Sequence, residues 1–131
     1  MKMLFVSNGN LAAKVKECLA TCVYKPEIEV ICFQKSAWLK AASRLQDYIQ
    51  SCLTLNPDET FLVLADYLGS TAFNETALLL QRLGLMTQSL VIPELNLSLA
   101  MRLYNYMKKH TFEVIRQMFP TRSFIQSFFY L

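Results

Sequence analysis

Four short apolar runs, separated by segments with helical periodicity, constrain the fold of this chain more than any other feature. The runs cover residues 3–6, 28–33, 61–65 and 90–92. Between them, apolar residues recur every three or four positions, as they do in helices that pack on one face. Such an alternation predicts parallel strands joined by right-handed crossovers. The sequence therefore predicts an α/β fold, with an open parallel sheet of four strands and helices on both faces.

Capping and periodicity predict the first two helices. The first is expected to bury one face, which carries Leu11, Val15, Cys18, Leu19 and Cys22. Ser36 is the expected N-cap of the second helix. The buried face of that helix is expected to hold Trp38, Ala41, Leu45, Ile49 and Cys52.

Turn residues predict three further helices in the second half of the chain. A helix over residues 71–83 is expected to stop at Gly84, and another to run from about 96 to 109. The last helix is expected over about 111–119, where Pro120 ends it. Residues 122–131 are too apolar to leave in water. They are expected to pack as a helix, as a fifth strand at the sheet edge, or against a second subunit.

Length and composition predict one packed domain over residues 1–131. The chain is 53% hydrophobic and has only 3 Gly and 4 Pro. A net charge of +3 is far below what a protein needs to grip a phosphate backbone, so no nucleic-acid partner is predicted. No apolar run approaches the roughly 20 residues of a membrane span, and the first run is too short for a secretory signal. The prediction is a cytoplasmic protein.

The four cysteines predict free thiols buried in the core rather than a zinc site. They form no Cys-x-x-Cys pair, and the only histidine, His110, lies far from them in the sequence. The chain also lacks a GxGxxG or P-loop spacing. No metal and no cofactor are therefore predicted.

The last part of the chain is basic. From Ala100 onward, Glu113 is the only acidic residue, and the cations are Arg102, Lys108, Lys109, Arg116 and Arg122. Such a distribution is typical of a solvated helix face, and it also suits an acidic partner.

Polar loops follow three of the predicted strands, at the carboxyl edge where open parallel sheets bind ligands. Two of the loops place Gly and small polar residues before a helix N-terminus, which favours an anion such as phosphate. The predicted anion-binding residues are Ser7, Asn8, Gly9, Asp66, Gly69, Ser70, Thr71, Asn74 and Asn96. Simpler roles compete: Asp66 as a turn residue, Ser70 and Thr71 as N-caps, and the two later asparagines as loop ties.

These loops resemble those of the mannose-type EIIA domains of the bacterial phosphoenolpyruvate-dependent sugar phosphotransferase system (PTS). The family carries Thr-His-Gly after strand one, matched here by Ser-Asn-Gly at 7–9. After strand three it carries an Asp and then Gly-Gly-Ser/Thr-Pro-x-Asn, matched by Asp66 and by Gly-Ser-Thr-Ala-Phe-Asn at 69–74. Its Gly-Val-Asn-Leu-Pro-Met stretch aligns with residues 94–99, and the resemblance spans about residues 3–107.

The resemblance implies roles for positions 8 and 66. In the family, the histidine accepts a phosphoryl group from the phosphocarrier protein and passes it to an EIIB domain, while the aspartate orients the ring. Here position 8 is Asn8, whose amide nitrogen is not a nucleophile because its lone pair is delocalised into the carbonyl. We expect no catalytic residue, only a degenerate acceptor position at Asn8 and an orienting carboxylate at Asp66. Ser70 and Ala72 also depart from the family pattern, which argues against a single engineered change.

The expected function is a PTS EIIA-like pseudoenzyme with a regulatory or structural role in binding a partner. Two alternatives stay open: an active sugar-PTS phosphotransferase that uses Asp66 or His110, and a small anion-binding flavodoxin-like module. The resemblance implies the phosphocarrier protein or an EIIB domain as partner. It also implies a homodimer formed by strand exchange, for which residues 124–131 are available.

Overall fold

The sheet has four strands, all parallel. The computed structural model describes residues 1–119, and its strands are β1 (Lys2–Asn8), β2 (Ile28–Phe33), β3 (Phe61–Ala65) and β4 (Ser89–Ile92). Their order across the sheet is β2-β1-β3-β4. The predicted α/β fold with a four-stranded parallel sheet is confirmed.

Five helices cover the two faces of this sheet. They are α1 (Leu11–Cys22), α2 (Trp38–Leu55), α3 (Thr71–Arg82), α4 (Leu97–Lys109) and α5 (Phe112–Met118). One buried cluster packs α2 and α3 on the sheet, and the other packs α1, α4 and α5 on the opposite face. β3 is buried along its whole length because helices cover both of its faces, as its unbroken apolar run predicts.

The strand order creates a switch point between β1 and β3. The crossover from β1 leads to β2 on one side, while β3 pairs with β1 on the other side. The helices α1 and α3, which follow β1 and β3, therefore leave the carboxyl edge on opposite faces of the sheet. Their departure opens a crevice at this edge, the usual place for a ligand in such folds.

Most helix boundaries agree with the predictions, and one N-cap is wrong. The side chains of Ser70, Asn96 and Thr111 cap α3, α4 and α5, and Gly84 has the positive φ that ends α3. Ser36, however, does not cap α2, whose N-cap is Ala37 without a side-chain hydrogen bond.

The predicted buried face of α2 is right except at its first residue. Ala41, Leu45, Ile49 and Cys52 are buried, but Trp38 is 40% exposed. The exception arises because Trp38 begins the helix at the carboxyl edge of the sheet, where the core has already ended.

The cysteine prediction is wrong for two of the four thiols. Cys52 is buried and Cys32 is half-buried, but Cys18 and Cys22 are exposed. The stripe that α1 buries runs through Ala12, Val15 and Leu19. Cys18, Cys22 and Leu11 fall on the flank of that stripe, since each lies roughly 20–60° around the helix beyond Val15, its outermost buried residue.

Some predictions concern residues beyond the described part of the chain. These are the role of Pro120 and the packing of residues 122–131, including a fifth strand at the edge. Within residues 1–119, no helix combines the length and the apolar character needed to cross a membrane.

Candidate functional site

The first two predicted loops meet at the switch point. The backbone N–H of Asn8, at the end of β1, donates to Asp66 Oδ2 at 2.9 Å. The backbone N–H of Asp66 donates to the Val6 carbonyl at 3.2 Å. The side chain of Asp66, in the loop after β3, thus binds the end of the neighbouring strand β1 and brings the two loops into contact.

The side chain of Asn8 joins β1 to α3. Its Oδ1 accepts a hydrogen bond from the backbone N–H of Ala72 at 3.0 Å, in the first turn of that helix. Its Nδ2 lies 3.4 Å from the Tyr67 hydroxyl, which is the weaker of the two contacts. Asn8 therefore acts as a second cap for α3, contributed by a strand that is distant in sequence.

Asp66 accepts three hydrogen bonds inside the site. Besides the Asn8 N–H on Oδ2, its Oδ1 accepts from the Ser70 hydroxyl at 2.6 Å and from the Tyr67 N–H at 3.0 Å. The Ser70 Oγ in turn accepts from the Phe73 N–H at 3.0 Å, which makes Ser70 the N-cap of α3. Both oxygens of Asp66 are thus committed to holding the two loops together.

The loop after β1 is held by its own polar groups. Ser7 is fully buried, and its Oγ accepts from the Ala12 N–H at 2.8 Å and donates to the Gly9 carbonyl at 3.1 Å. Gly9 has a φ of +70°, and its N–H donates to the Phe33 carbonyl at 3.0 Å. The positive φ is the reason that glycine suits this turn.

Asn74 and Asn96 tie loops rather than reach the contact between Asn8 and Asp66. Asn74 Nδ2 donates to the Gly69 carbonyl at 3.2 Å, while its Oδ1 is buried without a partner in the described part of the chain. Asn96 caps α4 by accepting from the Leu99 N–H at 2.8 Å, and its Nδ2 contacts Glu94. A bridge between Tyr67 and Glu94 links that loop to the loop after β3.

Most N–H groups of the first turn of α3 already have acceptors within the protein. The N–H of Ala72 binds Asn8, that of Phe73 binds the Ser70 hydroxyl, and that of Asn74 binds the Ser70 carbonyl at 2.8 Å. The N–H of Thr71 has no acceptor among residues 1–119. Any anion that approaches this end of α3 therefore finds one free backbone donor rather than a cradle of them.

A cavity of about 530 Å³ opens beside Asn8. Its wall includes Asn8, Gly9, Phe33, Lys35, Trp38 and Thr71. Lys35 and Trp38 were not among the predicted site residues, because the loop after the second strand was not considered. The position of that loop could have been predicted, since the carboxyl ends of parallel strands share one edge of a sheet.

His110 lies at the other edge of the sheet. It caps the C-terminal end of α4, which begins at the carboxyl edge beside Asn96 and runs for 13 residues, or roughly 20 Å. The His110 ring meets the Tyr106 ring edge to face, with 5.7 Å between the centroids. The only imidazole of the chain is therefore remote from Asn8 and Asp66.

The described residues contain no group of three or more His, Cys, Asp or Glu side chains that could hold a metal ion. In α4 and α5, two basic side chains contact other groups of the protein. Arg116 donates to the Thr87 carbonyl at 2.7 Å, and Lys108 lies 4.7 Å from the centroid of the Tyr104 ring. An acidic partner at this end stays a prediction.

The fold and site define the chain as a doubly wound α/β protein with a polar switch-point site. Several solved structures share this fold. An EIIA component of the phosphotransferase system from Streptococcus agalactiae superposes with a TM-score of 0.63 over 83% of this chain and 80% of its own, at 22% identity. The mannose/sorbose-specific IIA subunit from Enterococcus faecalis gives 0.63 over 79% and 74%, also at 22% identity.

A third structure is similar to the same extent. The PTS IIA protein associated with the fucose utilization operon of Streptococcus pneumoniae gives a TM-score of 0.65 over 88% of this chain and 85% of its own, at 16% identity. No family model matches the chain, and no curated protein matches it. At these identities the likeness is one of fold, so the chain has the fold of PTS EIIA components.

Proposed function

We propose that residues 1–131 form one mannose-type EIIA-like domain that does not relay phosphate and acts as a regulatory or structural partner in the cytoplasm. The observation that carries this proposal is the role of Asn8. At the position where the family's acceptor belongs, its carbonyl oxygen caps α3 and its nitrogen is an amide. This arrangement stabilises the loops and offers phosphorus no nucleophilic nitrogen.

The geometry also weakens the case for another acceptor. An acyl phosphate on Asp66 would require one of its oxygens to leave the donors Asn8, Tyr67 and Ser70, at a cost of about 1–3 kcal/mol for each donor left unpaired and shielded from water. His110 lies at the opposite edge of the sheet. An active phosphotransferase is therefore the weaker alternative.

Exposed apolar side chains around the site favour a protein partner. Leu11, Trp38, Leu39, Tyr67 and Leu68 are 40–70% exposed, and all lie in the first turns or loops at the carboxyl edge. We call these five residues the apolar rim. A cluster of exposed apolar side chains around a polar centre is typical of an interaction site. We propose the phosphocarrier protein or an EIIB domain as the partner.

Phosphorylation can be tested directly by mass. The purified chain is incubated with phosphoenolpyruvate, enzyme I and phosphocarrier protein, and its intact mass is measured. We expect no phosphoryl group on the wild type. Stable addition of one phosphoryl group would overturn the proposal, and Asp66→Ala and His110→Ala would then identify the acceptor.

Partner binding is tested with one residue of the rim and one matched control. Leu68→Ser, in the rim, should weaken binding to the phosphocarrier protein or EIIB domain, measured by titration calorimetry. Leu55→Ser changes a leucine that is 89% exposed at the far end of α2, and it should leave the affinity as in the wild type. Equal effects of the two changes would contradict an interface at the rim.

A homodimer is part of the same proposal. It is supported by the apolar composition of residues 124–131 and by the family resemblance. Light scattering on the full chain should give twice the monomer mass. A monomer at all accessible concentrations would refute it.

A further inference from the structure

We propose that the cavity beside Asn8 binds a small organic anion, in which a phosphate or carboxylate group contacts Lys35 and a flat apolar body contacts Trp38. The inference rests on the proposed function in one respect, since the cavity wall includes Asn8 and Asn8 must carry no phosphoryl group. It goes beyond that function because it assigns a class of ligand to this cavity.

The dimensions of the cavity suit a small molecule. Its volume of about 530 Å³ lies inside the range of roughly 300–1,000 Å³ found for pockets that bind drug-sized ligands. The wall combines buried Phe33 and partly exposed Trp38 with the polar groups of Asn8 and Thr71. A largely apolar surface with a few polar groups is the common composition of such pockets.

The charge of the cavity selects an anion. Lys35 is the one ionisable side chain among the described residues that line it. The carboxylate of Asp66 does not line the cavity, and its oxygens accept hydrogen bonds from three protein donors. The attraction comes from a side chain and not from the end of α3, because the first-turn N–H groups after Thr71 are already bonded.

The apolar part of the ligand is indicated by Trp38. This ring is 40% exposed, although the other predicted core positions of α2 are buried. An indole partly open to a cavity favours a flat apolar body, since aromatic pairs gain about 0.5–1.5 kcal/mol beyond the burial of their area. Lys35 and Trp38 line the same cavity, so one ligand can contact both.

The chain carries its own reporter for this test. Trp38 is the only tryptophan, so tryptophan fluorescence reports from the cavity wall alone. The full-length protein is titrated with phenyl phosphate, with benzoate, with inorganic phosphate and with benzyl alcohol. We expect saturable quenching with phenyl phosphate, with benzoate or with both. Inorganic phosphate, which has no ring, and benzyl alcohol, which has no charge, should each bind at least tenfold more weakly.

Two lysine variants locate the anionic group. Lys35→Gln should weaken the binding of the aromatic anion by about tenfold, as the loss of a charge-assisted contact does. Lys40→Gln removes an exposed lysine of the same helix region that does not line the cavity, and it should bind as the wild type does. Trp38→Phe removes the fluorescent reporter, so its binding is measured by calorimetry, and it should bind the aromatic anion more weakly than the wild type does.

Three results would overturn the inference. They are the absence of saturable binding, equal losses in Lys35→Gln and Lys40→Gln, and equal affinity for inorganic phosphate and phenyl phosphate. A preference for phenyl phosphate over benzoate would identify phosphate esters, and the reverse would identify carboxylates. The outcome is separate from that of the proposed function, because the mass of the chain after incubation with the PTS proteins does not depend on ligand binding.

Discussion

At the residue scale, Asn8 holds the loops of the site together with both its backbone and its side chain. Its backbone N–H, its Oδ1 and its Nδ2 contact Asp66, Ala72 and Tyr67. Asparagine and histidine both place a hydrogen-bond acceptor two bonds beyond Cβ. In a neutral histidine only one ring nitrogen carries a lone pair, so Nε2 at this position would be the nucleophile in the tautomer whose Nδ1 holds the proton and no longer accepts from the Ala72 N–H.

We therefore predict that Asn8→His gains a phosphoryl group in the labelling experiment described above, while the wild type does not. The physical reason is that an imidazole nitrogen has the free lone pair that an amide lacks. Asn8→Gln is the control, since it keeps an amide and should stay unlabelled. If Asn8→His also stays unlabelled, the altered residues Ser70 and Ala72 block the reaction as well, and the prediction fails.

Asp66 is the residue on which the two loops depend. Asp66→Ala would leave the N–H of Asn8, the N–H of Tyr67 and the hydroxyl of Ser70 without their acceptor. Since the site is only partly shielded from water, we expect a loss of about 2–3 kcal/mol in the free energy of unfolding. Urea denaturation measures it. Asp47→Ala, an exposed change on α2, should stay within about 0.5 kcal/mol of the wild type.

At the scale of single elements, the helices are defined by different amounts of local information. The ends of α3, α4 and α5 follow from residues whose side chains cap them: Ser70, Asn96 and Thr111. The start of α2 did not follow in this way. Ser36 has the chemistry of an N-cap, but the chain turns into the helix one residue later, at Ala37.

The caps of α3 and α5 offer a matched comparison. Ser70 is 2% exposed, and its hydroxyl lies 3.0 Å from the Phe73 nitrogen and donates to Asp66. Thr111 is exposed, and its hydroxyl lies 3.4 Å from the Val114 nitrogen. We predict that Ser70→Ala costs about 1–2 kcal/mol of unfolding free energy and that Thr111→Ala costs clearly less. Equal losses in thermal or urea unfolding would contradict the burial argument.

At the scale of the whole molecule, an ion pair at the amino edge of the sheet contributes to stability. The Met1 ammonium group lies 2.8 Å from Glu59 Oε2, and the Thr60 N–H donates to the same oxygen at 3.0 Å. Burial alone would raise the pKa of Glu59, but the ammonium group and the Thr60 N–H outweigh it and hold the pKa below its usual value. Its stabilisation is therefore complete above the pKa of the unfolded chain and is lost as the pH falls through the folded-state pKa.

The predicted consequence is a steeper acid destabilisation of the wild type than of Glu59→Gln below about pH 5. Urea unfolding at a series of pH values from 7 downward measures it. Acetylation of the Met1 amino group removes the positive charge, and it should reduce the difference between the two proteins. Parallel curves for the wild type and Glu59→Gln would refute the contribution of this ion pair.

Local pattern and physical chemistry predicted most of the fold. The four apolar runs became parallel strands, because an unbroken apolar run of this length can be buried only between two layers. The prediction that Cys18 and Cys22 are buried was wrong. Periodicity shows that a helix has an apolar face, but it does not show how wide a stripe of that face the neighbouring elements cover. The same limit applies to Trp38, where the core ends before the helix does.

By itself, the sequence determined which elements form and that Asn8 lacks a nucleophilic nitrogen, since strand and helix periods and amide chemistry are local properties. Only the tertiary structure decided that Asn8 and Asp66, 58 residues apart, hydrogen-bond to each other, and that Lys35 and Trp38 share a cavity with Thr71. The physical reason is that these contacts depend on the order β2-β1-β3-β4, which places the ends of three strands side by side at one edge. No pattern within a single strand or helix specifies that order.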